Sequence, residues 1–366
     1  MTMARLREIT WDDLEAMALG CGVLGTGGGG DSYITLLGCR KLYKEGHRFH
    51  LIHPDDLADD DMVAELGIMG APLVGEERLT DPEQCARPAR AMEQYMGKPF
   101  AAVMSAEMGG ANGVMPLLVA AAMDLPMVDA DPRGRAFPEM QMSGFPIQGF
   151  PLYPVTLSDI RANDVVITES ASPTWSERIL RRICTEMGSE AALCRPPRSG
   201  KTIKEAAIIG TASQAIRIGE AILKARAGHG DPVQAVLDCE NGIEVFRGKI
   251  VDVMRRTTEG FLRGNIDIDG TGGFAGRSCH IDFQNEYIIA WLDGELAVTV
   301  PELICVLDAV SGEAVGTEQI RYGQRVAVLS LPADKILTSK RGLEVVGPRA
   351  FGYDCDFLSL HEKPRK

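Results

Sequence analysis

A run of glycines, Gly20-Cys21-Gly22-Val23-Leu24-Gly25-Thr26-Gly27-Gly28-Gly29-Gly30-Asp31-Ser32, leaves main-chain N–H groups uncovered by side chains. Glycine reaches positive φ and lets a ligand come close to the backbone. The segment can therefore hold a carboxylate, a ring carbonyl or a developing oxyanion, or it can be a plain flexible connection. The substrate-contacting set expected here is Gly25, Thr26, Gly27, Gly28, Gly29, Gly30 and Asp31. A Walker-type nucleotide loop is disfavoured, because Asp31 stands where that loop needs Lys followed by Ser or Thr. A dinucleotide fingerprint is disfavoured too, because Leu14 to Leu19 reads as helix where a strand is required.

The other reactive residues follow apolar runs. Phe100 to Ser105 leads into Ala106-Glu107-Met108-Gly109-Gly110-Ala111-Asn112, which puts Glu107 in the crevice at the carboxyl end of a strand. Asn112 either caps the next helix or faces the substrate. Asp129 and Asp131 lie two apart, so an extended chain points both carboxylates to one face. Two readings stand: a divalent cation relieves their repulsion, or one Asp forms a turn before Pro132 while Arg133 or Arg135 neutralises the other. Oxygen ligation suits magnesium or manganese, and zinc accepts carboxylates as well. His280 shares a strand face with Asp282 and either binds zinc, acts as a base oriented by Asp282, or is a surface histidine. His47, His50 and His53 do not share a metal, since a strand places residues three apart on opposite faces. No Gly-x-Ser-x-Gly nucleophile elbow is present.

Alternating apolar runs and helical patterns must position these groups. Helices are expected at Trp11 to Leu19 with Thr10 as N-cap, through Leu36 and Leu42 with Asp31 or Ser32 as cap, and over Cys85–Met96, Asn112–Met123 and Thr174–Met187. Strands are expected over Phe49–Ile52, Met62–Met69, Phe100–Ser105, Pro126–Asp129, Val165–Thr168 and Ala191–Leu193. This predicts a three-layer α/β domain with a mostly parallel sheet over residues 1–240. Beyond Asn241-Gly242 short strands and turns predict a β-rich domain, a barrel or sandwich, over 241–366.

The 366 residues are 45% hydrophobic and 24% charged, an ordinary globular composition. A net charge of −13 argues against nucleic acid as a partner. No apolar run approaches the roughly 20 residues of a membrane helix, and Met1 to Arg5 lacks the apolar core of a secretory signal. Nine cysteines without a CxxC pair fit a reduced compartment. The expectation is a cytoplasmic protein acting on a small molecule, with a homo-oligomer compatible with its size.

The motifs Gly25-Thr26-Gly27-Gly28-Gly29-Gly30-Asp31, Glu107-Met108-Gly109-Gly110-Ala111-Asn112, Asp129-Ala130-Asp131, Gly134-Arg135-Ala136-Phe137-Pro138-Glu139 and Gly347-Pro348-Arg349-Ala350-Phe351-Gly352-Tyr353 occur in order. Together they resemble the S-methyl thiohydantoin desulfurase family across nearly the whole chain. The resemblance implies an N-terminal domain core at about 8–168 and a zinc-dependent reaction. In that reaction a ring methylthio group is replaced by oxygen, giving a hydantoin and methanethiol. On this basis Asp129, Asp131 and His280 are expected to hold a divalent metal, zinc by family. Glu107 and Glu139 are expected to act in catalysis with Asn112, and Arg135 to grip a substrate carboxylate. Pro132-Arg133 departs from the further glycine that more often follows the family's Asp-x-Asp pair, which stiffens this loop. Cyclic-amide hydrolysis, a nucleotide-dependent hydantoinase partner and a non-catalytic binding subunit are the alternative readings.

Overall fold

The computed structural model describes residues 6–70, 74, 81–258 and 260–361; Met1 to Arg5 and the tail beyond 361 lie outside the described residues. Among the described residues nine strands come first: β1 (Leu6–Ile9), β2 (Phe49–Ile52), β3 (Met62–Gly70), β4 (Ala102–Ser105), β5 (Met127–Val128), β6 (Ala130–Asp131), β7 (Val155–Ser158), β8 (Asp164–Ile167) and β9 (Glu190–Ser199). Eight of them form one sheet in the order β1-β2-β5-β4-β3-β9-β7-β8. The neighbours β2, β5, β4 and β3 run parallel, and antiparallel strands extend the sheet on both sides. Its strands read as continuous apolar runs because helices cover both faces. Val103 and Leu66 pack under the helices Trp11–Leu24 and Pro116–Met123, while Ala102 and Val63 face Ile203 and Ala206 of Gly200–Ala206. β6 pairs instead with β10 (Ile208–Ile209).

The second domain is one antiparallel sheet curled into a half-barrel. Its strands are β11 (Ile243–Thr258), β12 (Phe261–Gly270), β13 (Ser278–Gln284), β14 (Glu286–Leu292), β15 (Glu295–Thr299), β16 (Leu303–Asp308) and β17 (Arg325–Leu331), in the order β15-β14-β13-β12-β11-β17-β16. Strand periodicity of two divides β16 between cores. Ile304 and Val306 enter the curled sheet's own core, whereas Leu303, Cys305 and Leu307 pack against the helices of the first domain. β13 and β14 are separated only by Asn285, whose φ of 58° makes the turn. Seven of the nine cysteines are buried and all are free. Among the described residues no helix is long and apolar enough to cross a membrane.

Thr10 and Asp13 form the capping box that opens the first helix, and Asp31 caps Ser32–Lys44 as expected. The first helix runs further than its sequence pattern indicates, to Leu24, and takes Gly20 and Gly22 into its body. Glycine is costly inside a helix, and packing explains Gly20: a Cβ there would lie 1.8 Å from the Ala215 carbonyl oxygen. The reciprocal contact is made by Gly219, whose Cβ would lie 1.8 Å from the Ala16 oxygen. The helices Trp11–Leu24 and Thr211–Ala227 thus cross backbone to backbone. Gly20→Ala is expected to lower stability by at least about 1–3 kcal/mol through overpacking, read as a fall in the denaturation midpoint.

Candidate active site

A cavity of about 150 Å³ opens beyond the carboxyl ends of the parallel strands β3 and β4. Two glycine-bearing loops build its wall. Ala111 N donates to Gly30 O (3.0 Å) and Gly110 N donates to Cys21 O (2.7 Å), which laces the segment after β4 to the first glycine loop. A Cβ on Gly29 would lie 2.3 Å from Gly109 O, and one on Gly110 would lie 2.4 Å from Gly30 O. Side chains are excluded from this seam.

The glycine run divides by position. Gly25 N closes the first helix on Cys21 O (2.8 Å). Thr26 O accepts from Tyr287 N (2.9 Å) and Gly27 O accepts from Thr317 N (2.8 Å), so both fasten the two domains together. Gly28 lies against Glu286. Gly29, Gly30 and Asp31 reach the cavity, and among the described residues their N–H groups have no hydrogen-bond partner. The expected seven-residue contact set therefore narrows: Gly25, Thr26 and Gly27 are held by protein, and the last three line the cavity.

Glu107 lines the cavity as its place after β4 suggests. Its Oε1 accepts from Asn112 Nδ2 (2.7 Å), and its Oε2 accepts from Phe137 N (3.2 Å) and is ion-paired with Arg133 Nη1. Asn112 is not a cap. It lies inside the short helix Ala111–Val114, whose N-cap is Gly110, and its Oδ1 accepts from Ile68 N (2.7 Å) on β3. Its amide bridges a strand to the acid. Arg133 also donates to Phe137 O (2.9 Å) and Glu139 O (2.8 Å), which shapes the loop carrying Glu139. The Glu139 carboxylate lines the cavity and accepts from Gln141 Nε2. Beneath them Glu65 of β3 pairs with Arg195 of β9 at 3.0 Å, fully buried; burial beside Arg133 brings the Arg195 guanidinium down to about 10.

Four expectations need correction. Arg135 does not reach the cavity: it is completely buried and donates to Pro301 O (3.1 Å), Glu302 O (2.8 Å) and Thr26 Oγ1 (2.8 Å), tying the domains together. Arg133 lines the site instead, as do Arg181 and Arg195. Asp129 accepts from Ser213 N (2.9 Å) and Ser213 Oγ (2.6 Å), capping Thr211–Ala227, whose own N-cap Gly210 has no side chain to offer. Asp131 accepts from Met108 N (2.9 Å), Arg133 N (3.0 Å) and Gly134 N (3.0 Å), and burial pushes its carboxyl up to about 6 against those bonds. His280 lies on the half-barrel between Asp267 (2.6 Å) and Asp282 (2.9 Å). Burial works against its charge, yet the two carboxylates hold the imidazole above its usual range.

The proposed zinc ligands therefore do not fit a metal. Asp129, Asp131 and His280 do not line the cavity, and their oxygens or ring nitrogens already face protein partners. Among the described residues no group of three or more His, Cys, Asp or Glu is arranged to hold an ion.

One acid was missed. Glu286, at the head of β14, projects from the half-barrel into the cavity and is 2% exposed. Burial, reinforced by the nearby Glu107 charge, drives its carboxyl well above the usual range, with Arg135 and Arg133 opposing. In sequence Glu286 is one more acid in a strand-rich segment, and only the turn at Asn285 hints that it leads a new strand.

Two outcomes follow. Asp129→Ala is expected to cost about 1–2 kcal/mol of stability as a lost helix cap, read as a lower denaturation midpoint. Because the folded state holds a proton on Glu286 that the unfolded chain releases above pH ~4.5, this group makes stability fall as pH rises from there to its folded pKa. Glu286→Gln removes that slope, so its midpoint relative to wild type rises as pH climbs above the ordinary carboxylate range.

Residues 12–169 match the S-Me-THD-like N-terminal domain, and residues 171–360 match the S-Me-THD-like C-terminal domain. The fold is similar to that of a protein from Chromobacterium violaceum solved by X-ray crystallography, with a TM-score of 0.79 and 24% identity over 96% of this chain and 99% of that one. No curated protein matches the chain. With both domain types present in order, the chain belongs to the S-Me-THD-like family, that of S-methyl thiohydantoin desulfurase-like proteins.

Proposed function

We propose that the cavity binds a single-ring S-methyl thiohydantoin and replaces its methylthio group by oxygen, releasing methanethiol and a hydantoin. The observation that carries this reading is the set of unpartnered N–H groups of Gly29, Gly30 and Asp31 on one cavity wall, in a site also lined by Glu107, Arg133 and Glu139. A cavity of about 150 Å³ has room for one small ring. Water adds to the sp² ring carbon that bears sulfur, and Glu139 takes its proton. Negative charge that develops on the oxygen of the adduct meets main-chain donors fixed in place, each worth roughly 3 kcal/mol of barrier lowering. Methanethiolate then leaves as the C–S bond breaks. Glu107 is a positioning residue in this scheme: it fixes Arg133 and Asn112, and Arg133 in turn holds the Glu139 loop.

Glu107→Gln leaves Arg133 buried without its counter-charge, a loss on the order of 3–5 kcal/mol. If that loss falls on the active arrangement, kcat/KM drops by about 100-fold or more while circular dichroism stays native. Methanethiol from S-methyl thiohydantoin, measured with a thiol reagent and no nucleotide, is the readout. Full activity in Glu107→Gln overturns the positioning role of Glu107, whereas a wild type that releases no methanethiol, or releases it only with ATP, overturns the reading; ring opening of a hydantoin without methanethiol points instead to cyclic-amide hydrolysis.

A further inference from the structure

Water addition to a neutral ring carbon needs more than a base, because an uncharged carbon–nitrogen double bond is a weak electrophile. Protonating that nitrogen places positive charge on the carbon that water attacks. The acid must keep its proton in neutral solution, which a solvated carboxyl does not.

Glu286 fits that requirement by position. It lines the cavity, it is 2% exposed, and its Oε2 has no hydrogen-bond partner among the described residues. A Cβ on Gly28 would lie 2.1 Å from its Oε1, so the carboxyl keeps its place only because that position carries no side chain. Of the charged groups that act on it, Glu107 and Arg133 are paired with each other, and Arg135 donates to the carbonyls of Pro301 and Glu302. We propose that Glu286, supplied by the second domain, is the catalytic acid that protonates the ring nitrogen beside the sulfur-bearing carbon; this role rests on the desulfurase reading above. The shift of its carboxyl away from ionisation agrees with the geometry.

The step balances with water as the only co-reactant. Glu286 gives its proton to the ring nitrogen, water forms the new C–O bond, and Glu139 takes one water proton. The tetrahedral adduct then breaks its C–S bond. Its hydroxyl proton returns to Glu286, and Glu139 passes its proton to methanethiolate, leaving a ring N–H, a ring carbonyl and methanethiol.

The test uses the full chain and Glu286→Gln, which keeps the shape and lacks the acid proton. On S-methyl thiohydantoin kcat is expected to fall about 100-fold or more with little change in KM. On a ring alkylated at that nitrogen, and so already cationic, the variant loses far less. Infrared spectra of the wild type at neutral pH are expected to show a protonated-carboxyl stretch that Glu286→Gln lacks. Should the variant not fold, the wild type still decides, since the band and kcat disappear together as pH rises. An unchanged kcat in the folded variant, or no such band in the wild type, overturns the role of Glu286 while wild-type turnover leaves the desulfurase reading standing. A wild type that releases no methanethiol from either ring defeats that reading, and this role with it.

Discussion

The structure depends on two stretches of main chain meeting without side chains between them. Gly29 and Gly30 press against Gly109 and Gly110 so closely that a methyl group at Gly29 or Gly110 would overlap a carbonyl oxygen. That contact sets where the first helix ends, where the chain after β4 turns, and which amides are left facing the cavity. Gly27 and Gly28 extend the constraint to the second domain, since Tyr287 and Glu286 fill the space their side chains would occupy. The half-barrel is thus seated on the glycine loop, and the interface and the cavity share one set of residues.

Charge is arranged around this seam in two layers. Arg135 and Asp131, both fully buried, answer only to protein groups and hold loops together. Glu107, Arg133, Glu139 and Glu286 belong to the layer that faces the cavity. Removing a partner from a buried pair leaves an uncompensated charge, which costs more than the pair itself contributes. Substitutions in the first layer therefore read out as stability, and those in the second as chemistry.

The fold was largely legible because its signals are local. Short, mostly apolar runs locate β2, β3, β4 and β8, and Thr10 and Asp31 announce their helices. β7 escaped notice, being four residues after a proline-rich stretch, and so did the edge strand β1. The part of the site that was legible is local in sequence: Glu107, Asn112, Glu139 and the end of the glycine loop all line the cavity. Asp129 and Asp131 carried the pattern of a metal pair, but their acceptors are used by a distant serine and by loop amides, pairings no spacing encodes. Arg133 and Arg135 look alike in sequence and point to opposite sides of the loop. Glu286 became visible only once the second domain was placed against the first.

A wall made of peptide groups has an evolutionary consequence. Exchanging side chains cannot alter its hydrogen-bonding pattern unless the backbone itself moves. Adaptation to a different ligand is left to residues such as Met69, Met140 and Leu193, whose side chains also border the cavity. Methionine is the most pliant of the apolar side chains, so descendants of this scaffold can drift in what they accept while the peptide wall stays the same.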